Sequence, residues 1–261
     1  MNIRLDRRIV LATGATQGIG RAIALAAANA GAAGIAIVGR NEARGAAVEA
    51  EINDLGAPAH FIAADLGAIA APQAILRAAL DRFGRVDALV NAAGLTDRGS
   101  VSSAAPELWE RLYAVNARAP FFLMQGVIAH LRARSSPGAV VNILSINLHG
   151  GTPDLAVYAS TKAALGALTK NAAYAHRFDR IRVNGINVGW TDTPAERHMQ
   201  AVTLGRGEGW LAEANAAQPS GKLLAAEDVA RLALFLLSDA SAPMTGALID
   251  QEQSLVIGVR D

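Results

Sequence analysis

Ser145, Tyr158 and Lys162 are the residues of this 261-residue chain whose types and spacing most directly suggest chemistry. Tyr158 and Lys162 stand four apart in YASTKAALGALTKNAAY, a segment that reads as a helix. Residues at i and i+4 share a helix face, so a phenol and an ammonium can point into one cleft. A free tyrosine has a pKa of about 10 and is a poor base near neutrality. A neighbouring cation favours the phenolate and is expected to lower that value. A hydroxyl such as Ser145 can hold the oxygen that gains or loses the proton. The three together would make an acid–base centre acting on an alcohol or a carbonyl.

Such a centre needs elements that bring it together. Short apolar runs recur along the chain, each followed by a helical stretch: RIVLAT then IGRAIALAAANA, GIAIVG then NEARGAAVEAEINDLG, HFIAAD then PQAILRAALDRFG. VDALVNAAG precedes a long helical stretch expected from about Pro106 to Arg134, AVVNILS precedes the Tyr158 helix, and IRVNGINVG follows it. AEDVARLALFLLSD and a last strand near GALID complete the order. Apolar runs alternating with helices indicate a parallel sheet covered on both faces. Right-handed crossovers then predict an α/β, Rossmann-type doubly wound sheet of about seven strands, with ligands at the carboxyl ends of the strands. With no repeat, low-complexity segment or linker, one domain over 1–261 is expected. The segment from about Trp190 to Lys222 has the weakest periodicity and reads as a substrate lid of irregular chain.

Lys+Arg total 24 against Asp+Glu 23, and no run of like charge appears, so neither nucleic acid nor an anionic membrane is an expected partner. The absence of cysteine excludes disulfides, thiolate chemistry and Cys-ligated zinc. It fits a cytoplasmic setting, as does an N-terminal MNIRLDRRIV without the apolar core of a signal peptide. Residues 22–39 are nearly all apolar, but they read as an Ala-rich helix, a glycine turn and a buried strand rather than a membrane span. No His, Asp and Glu cluster has metal-ligand spacing, so no metal is expected.

Thr13-Gly14-Ala15-Thr16-Gln17-Gly18-Ile19-Gly20 lies between the first strand and the first helix. Glycines there allow a tight turn and a close approach of backbone to a pyrophosphate, and the helix N-terminus supplies amides and a favourable dipole. No Lys-Ser or Lys-Thr follows, which argues against a nucleoside-triphosphate phosphate loop.

In order and spacing these motifs resemble the short-chain dehydrogenase/reductase family over nearly the whole chain. The resemblance rests on TGATQGIG at 13–20, Asp65-Leu66, Asn91-Ala92-Ala93-Gly94, Asn116, then Ser145, Tyr158 and Lys162, and finally Gly189 with Thr193. It implies a nicotinamide-dependent oxidoreductase with Asn116, Ser145, Tyr158 and Lys162 as catalytic residues. It implies cofactor contacts from Gly14, Thr16, Gln17, Gly18, Ile19 and Gly20, and from Arg40 and Asn41. Asp65 would meet the adenine amino group beside Leu66, and Asn91, Ala92 and Gly94 would support the sheet and line the adenine-ribose side. Lys162 would bind the nicotinamide ribose, and Asn116 would hold a water linking Lys162 to solvent. Val188, Gly189 and Thr191 would meet the carboxamide, and Thr193 the phosphates.

The second strand ends at Gly39, where an acid would favour NAD(H), and Arg40 follows. A guanidinium there suits a 2′-phosphate, so NADP(H) is the expected cofactor. Arg40 stacked on adenine would instead permit NAD(H). Two departures from the family pattern stand out: Val188 in place of a common proline, and the tail Ile249-Asp250-Gln251-Glu252-Gln253 in place of Asp-Gly-Gly. In the family such tails often lie at a subunit interface, which implies a homotetramer, or otherwise a homodimer.

The expected substrate is a small molecule contacted by Ser145, Asn147, His149 and Tyr158. Asp154 and Arg98 lie near the cleft mouth, and His198, Trp190 and Trp210 on the lid. This polar mix suits a polyol or sugar-like alcohol. A 3-ketoacyl thioester and a non-catalytic dinucleotide sensor are the alternatives.

Overall fold

The computed structural model describes residues 3–255. Seven strands form one parallel sheet: β1 (Ile9–Thr13), β2 (Gly34–Gly39), β3 (Ala59–Ala63), β4 (Ala88–Asn91), β5 (Gly138–Ile143), β6 (Ile181–Val188) and, last in the chain, β9 (Leu248–Gln251). Their order is β3-β2-β1-β4-β5-β6-β9. Buried on both faces, they can be continuous apolar runs, as in Val10-Leu11-Ala12 and Ile35-Ala36-Ile37-Val38. A two-residue ribbon, β7 (Thr191–Asp192) with β8 (Leu224–Ala225), stands apart from the sheet.

Helices cover both faces. Helix α1 (Gly18–Asn29) packs with α9 (Ala226–Leu237) on one, joined near the sheet edge by α2 (Glu42–Asp54). Helix α3 (Ala71–Phe83) covers the other with α5 (Ala119–Ala133) and α6 (Ala156–Ala175). The small residues of α1, Ala24, Ala27 and Ala28 among them, are buried against α9 and the sheet. An Ala-rich helix suits such close packing and has high intrinsic helix propensity.

Two stretches differ from the sequence expectation. The helix expected from Pro106 to Arg134 is α4 (Pro106–Tyr113) and α5 joined by a π-helical turn, Ala114–Arg118, that contains Asn116. Such single-turn widenings recur at functional sites and leave no mark in hydrophobic spacing. The segment 190–222 is irregular only in part: α7 (Pro194–His198), a π-helical turn at Met199–Thr203 and α8 (Trp210–Ala216) fill about half of it. Elements of five to seven residues are too short to show a period. Trp210, buried with Ala214 and Leu223, stacks on Trp190 at 6.1 Å and ties the segment to the end of β6.

Strand order reverses between β1 and β4, so the turns after these strands lie side by side at the carboxyl edge. Gly14, at φ +64°, sits so close to the β4 turn that a Cβ there would lie 2.6 Å from Ala93 Cα. Gly20 is held as tightly, its Cβ position 2.4 Å from the Gly14 carbonyl oxygen. The contacting atoms are backbone and cannot swing aside. Strain of roughly 1–3 kcal/mol is expected from a side chain in the left-handed region alone. Gly14→Ala should therefore lower Tm by several degrees in thermal unfolding; an unchanged Tm would mean that the two turns are not packed as described.

Candidate active site

A cleft of about 1100 Å³ runs along the carboxyl edge of the sheet, from the second strand to the segment after β6. Its floor carries Ser145, Tyr158 and Lys162 from two elements. Ser145 follows β5, while Tyr158 and Lys162 lie one turn apart on α6. Tyr158 and Lys162 are 8% and 4% exposed, and the ammonium lies 5.8 Å from the phenol ring centroid.

Each group has a defined hydrogen-bonding state. Lys162 Nζ donates to the Ile143 carbonyl at 2.8 Å. Ser145 Oγ accepts from Asn147 N at 3.2 Å and from Asn147 Nδ2 at 3.4 Å, which leaves its own proton to donate. Thr152 Oγ1 donates to Asn147 Oδ1 at 2.7 Å and fixes that amide in turn.

The phenol is not depressed by its neighbour, contrary to the sequence expectation. Burial pushes the Tyr158 pKa up; a hydrogen bond with Ser145 opposes this, Glu196 adds to it and Arg98 opposes it. Burial also lowers Lys162 to about 8. Desolvation dominates because both groups sit beneath the cleft surface, where the charged form of either is disfavoured. The site holds a neutral phenol that is a weaker acid than a free tyrosine.

Asn116 differs most from its expected place. It is fully buried and does not line the cleft. Its Nδ2 donates to the Leu95 carbonyl at 2.9 Å and to Thr161 Oγ1 at 3.1 Å, and its Oδ1 accepts from Leu95 N at 2.9 Å. Thr161 Oγ1 donates to the Tyr158 carbonyl at 2.6 Å. The Asn116 amide thus pins the loop after β4 to the Tyr158 helix, with one bond accepted by its Oδ1. Asn91 is likewise buried away from the cleft, its Nδ2 donating to Asn142 Oδ1 at 2.8 Å between β4 and β5. It braces the sheet but does not line the ribose side.

His149 also leaves the expected set. It lies outside the cleft, with Nε2 3.1 Å from Asp250 Oδ1 on the edge strand β9. The 3-10 turn at Ile146–His149 directs Asn147 inward and His149 away from it. His198 does not line the cleft, and Trp210 stands behind Trp190.

The remaining candidates do line it: Gly14, Thr16, Gln17, Gly18, Ile19 and Gly20 around the first turn, Arg40 and Asn41 after β2, and Asp65 and Leu66 after β3. Ala92, Gly94, Val188, Gly189, Thr191 and Thr193 complete them. Asn41 also caps α2 through Arg44 N, and Asp65 accepts from Gly67 N. Thr193 accepts from Glu196 N and faces Gly18 across the cleft, a Cβ on Gly18 being 3.5 Å from its side chain.

Among the lining residues not singled out from the sequence are Arg44, Glu196, Gln200 and Arg206. Arg44, in the first turn of α2, stands four residues after Arg40, which precedes the helix; two arginines so near the end of the second strand could have signalled a paired guanidinium site. Glu196 and Gln200 are isolated polar residues in the stretch without period. Glu252 of the unusual tail lines the cleft as well, packed so tightly on Gly189 that a Cβ there would meet its carboxylate at 2.4 Å.

The cradle fits a dinucleotide. Glycines hold the backbone open where a pyrophosphate would approach, the N-terminus of α1 faces that space, and no acidic residue lies in its first turn. Among the described residues there is no group of three or more metal-ligating side chains and no helix long and apolar enough to cross a membrane.

Comparison with known proteins agrees with this geometry. The family model described as short chain dehydrogenase matches residues 8–202. A sorbitol dehydrogenase from Cereibacter sphaeroides is 34% identical over 243 residues, 90% of this chain and 91% of the relative. The structure of a 3-oxoacyl (acyl-carrier-protein) reductase from Agrobacterium tumefaciens C58 with NADP bound superposes with a TM-score of 0.87 at 30% identity, covering 96% and 95% of the two chains. That of L-sorbose reductase from Gluconobacter frateurii, complexed with NADPH and L-sorbose, reaches 0.90 at 26% identity over 99% and 100%.

Burial of Lys162 has a consequence for stability. Its folded value of about 8 lies below the ordinary 10.5, so between these pH values the unfolded chain holds a proton that the folded chain has released. Stability contributed at this site therefore rises with pH across that window, and the cost of burying the ammonium is present in full below it. Denaturant unfolding of the cofactor-free protein should show this rise in the wild type and not in Lys162→Met. Parallel pH curves would contradict it.

Proposed function

The chain belongs to the short-chain dehydrogenase/reductase family, and on that footing we propose that it interconverts a secondary alcohol and a ketone on a small hydroxylated substrate, polyol or sugar-like, with Tyr158 as general acid–base. The observation that carries this reading is the buried Tyr158 beside Ser145 and Lys162 on the floor of a dinucleotide-sized cleft. A bound nicotinamide would supply or accept the hydride.

The residues divide the remaining work. In reduction, neutral Tyr158 gives its proton to the substrate oxygen while the Ser145 hydroxyl, its acceptor capacity spent on Asn147, donates to that same oxygen. In oxidation the proton returns along the same path. Lys162 holds the nicotinamide ribose hydroxyls with the donors not engaged by Ile143, and its position under the cleft keeps a proton within reach of Tyr158. Asn116 acts as a positioning residue, through Leu95 and Thr161. The turn after β1 takes the pyrophosphate, Asp65 the adenine, Val188 to Thr191 the carboxamide and Thr193 the phosphates.

NADP(H) is the preferred cofactor in this reading. Gly39 carries no carboxylate, Thr16 packs into the space a side chain there would need, and Arg40 and Arg44 both line the adenosine end. Segment 190–222 acts as the lid over the substrate side. A homotetramer is the proposed assembly, supported by the exposed Trp109, Phe121 and Phe122 on α4 and α5.

A 3-ketoacyl thioester is the second reading, favoured by the likeness to an acyl-carrier-protein reductase. The charged and amide side chains of the cleft wall, Asp154, Glu196 and Gln200, support the hydroxylated substrate instead.

Two outcomes test the proposal. Tyr158→Phe should lower turnover by roughly 10²–10⁴-fold while cofactor binding, followed by protein-to-nicotinamide energy transfer, is retained; near-wild-type turnover would refute the assignment. Arg40→Leu should reduce kcat/KM for NADP(H) by about tenfold, one charge-assisted contact, and that for NAD(H) far less. An equal loss with both cofactors would remove Arg40 from phosphate recognition.

A further inference from the structure

The cleft is also lined by a polar pair with acceptors left over. Glu196 lies in the first turn of α7, and Gln200 follows four residues later in the π-helical turn, on the same face. Glu196 Oε1 accepts from Trp190 Nε1 at 2.8 Å and from Gln200 Nε2 at 2.6 Å. The Trp190 indole is itself held by its stack on Trp210, so the carboxylate is oriented by a fixed donor.

These bonds use the indole N–H, one of the two Gln200 amide N–H groups and the Glu196 Oε1. Gln200 is 4% exposed, yet its Oε1 is buried without a hydrogen-bond partner. Both side chains line the cleft, and the Glu196 charge is close enough to Tyr158 to oppose ionisation of the phenol. A buried unpaired oxygen carries a desolvation penalty that a ligand donor would relieve. The donors that fit are hydroxyl protons. An ammonium would share the cleft with Lys162, Arg98 and Arg206.

We propose that Glu196 and Gln200 form a hydroxyl-reading subsite that selects substrates bearing a further hydroxyl beside the reacting carbinol. The inference rests on the reading of Tyr158 as the group that acts on that carbinol. Glu196 accepts from the added hydroxyl, Gln200 Oε1 accepts from it or from the next one, and Trp190 reports their occupancy through its shared carboxylate. A substrate with no second hydroxyl would leave Gln200 Oε1 desolvated and unpaired, a penalty that discriminates more strongly than lost apolar contact.

The test compares cyclohexanol, vicinal cyclohexanediol, vicinal aminocyclohexanol and sorbitol on the full chain with both nicotinamide cofactors. Turnover and tryptophan emission are read together for the wild type, Glu196→Gln and Gln200→Met. The wild type should favour diol over cyclohexanol by roughly 10²-fold or more in kcat/KM, and the diol should change tryptophan emission. Glu196→Gln, isosteric with the wild type, should collapse the diol-to-alcohol ratio by at least about tenfold, and Gln200→Met should do the same through a different atom. A wild type without diol preference and without an emission change would overturn the subsite. So would a ratio that survives both substitutions, or a preference for the amino alcohol. Turnover of none of the four, with a diol-dependent emission change lost in Glu196→Gln, would keep the subsite and overturn the oxidoreductase reading instead.

Discussion

Lys162 is the group around which the floor of the cleft is built. An ammonium beneath the surface must be hydrogen-bonded or it will not stay charged, and here the carbonyl of Ile143, at the end of β5, meets that need. The requirement links helix α6 to the central sheet at one point. Tyr158, one turn earlier on the same helix, is then placed over the cleft, and Ser145, two residues beyond Ile143, comes to it from the sheet side. The same burial lowers Lys162 to about 8 and raises Tyr158, so two groups of nearly equal proton affinity in free solution are driven apart: the phenol holds its proton and the ammonium gives one up more readily.

The other constraints serve that arrangement. Asn116 uses its amide to tie the loop after β4 to Thr161, and Thr161 bonds the Tyr158 carbonyl. The π-helical turn that contains Asn116 departs from the regular helix at the point where this bridge is made. On the opposite side, Gly14 and Gly20 let the first turn pack directly on backbone, which keeps the cleft open along the edge of the sheet. The segment from Trp190 to Trp210 contributes lining residues to the cleft and is held by its own small apolar cluster.

Much of this was legible in the chain because the physics is local. Parallel strands buried on both faces must be short apolar runs, and these predicted every strand of the seven-stranded sheet. Glycines that cannot carry a Cβ marked the first turn, and the four-residue spacing of Tyr158 and Lys162 placed them on one face. What escaped depends on direction rather than type. His149 and Asn147 are two residues apart in one 3-10 turn, and only the turn decides that Asn147 enters the cleft while His149 meets Asp250. Asn91 and Asn116 turn inward to satisfy buried partners, which spacing does not reveal. Nor did the expected effect of Lys162 on Tyr158 survive burial, because a short sequence motif carries the charge of a neighbour but not the loss of solvent. Glu196 and Gln200 were hidden in helical turns too short to show a period.

The central claim is that the cleft passes hydride directly between a carbinol carbon and a bound nicotinamide while Tyr158 handles the proton. The most direct measurement follows deuterium from a secondary alcohol labelled at its carbinol carbon, using an alcohol that the protein oxidises, with the cofactor analysed by mass spectrometry. The account predicts one deuterium on the reduced nicotinamide for each ketone formed and none released to water. Label found in the solvent, with unlabelled reduced cofactor, would contradict it.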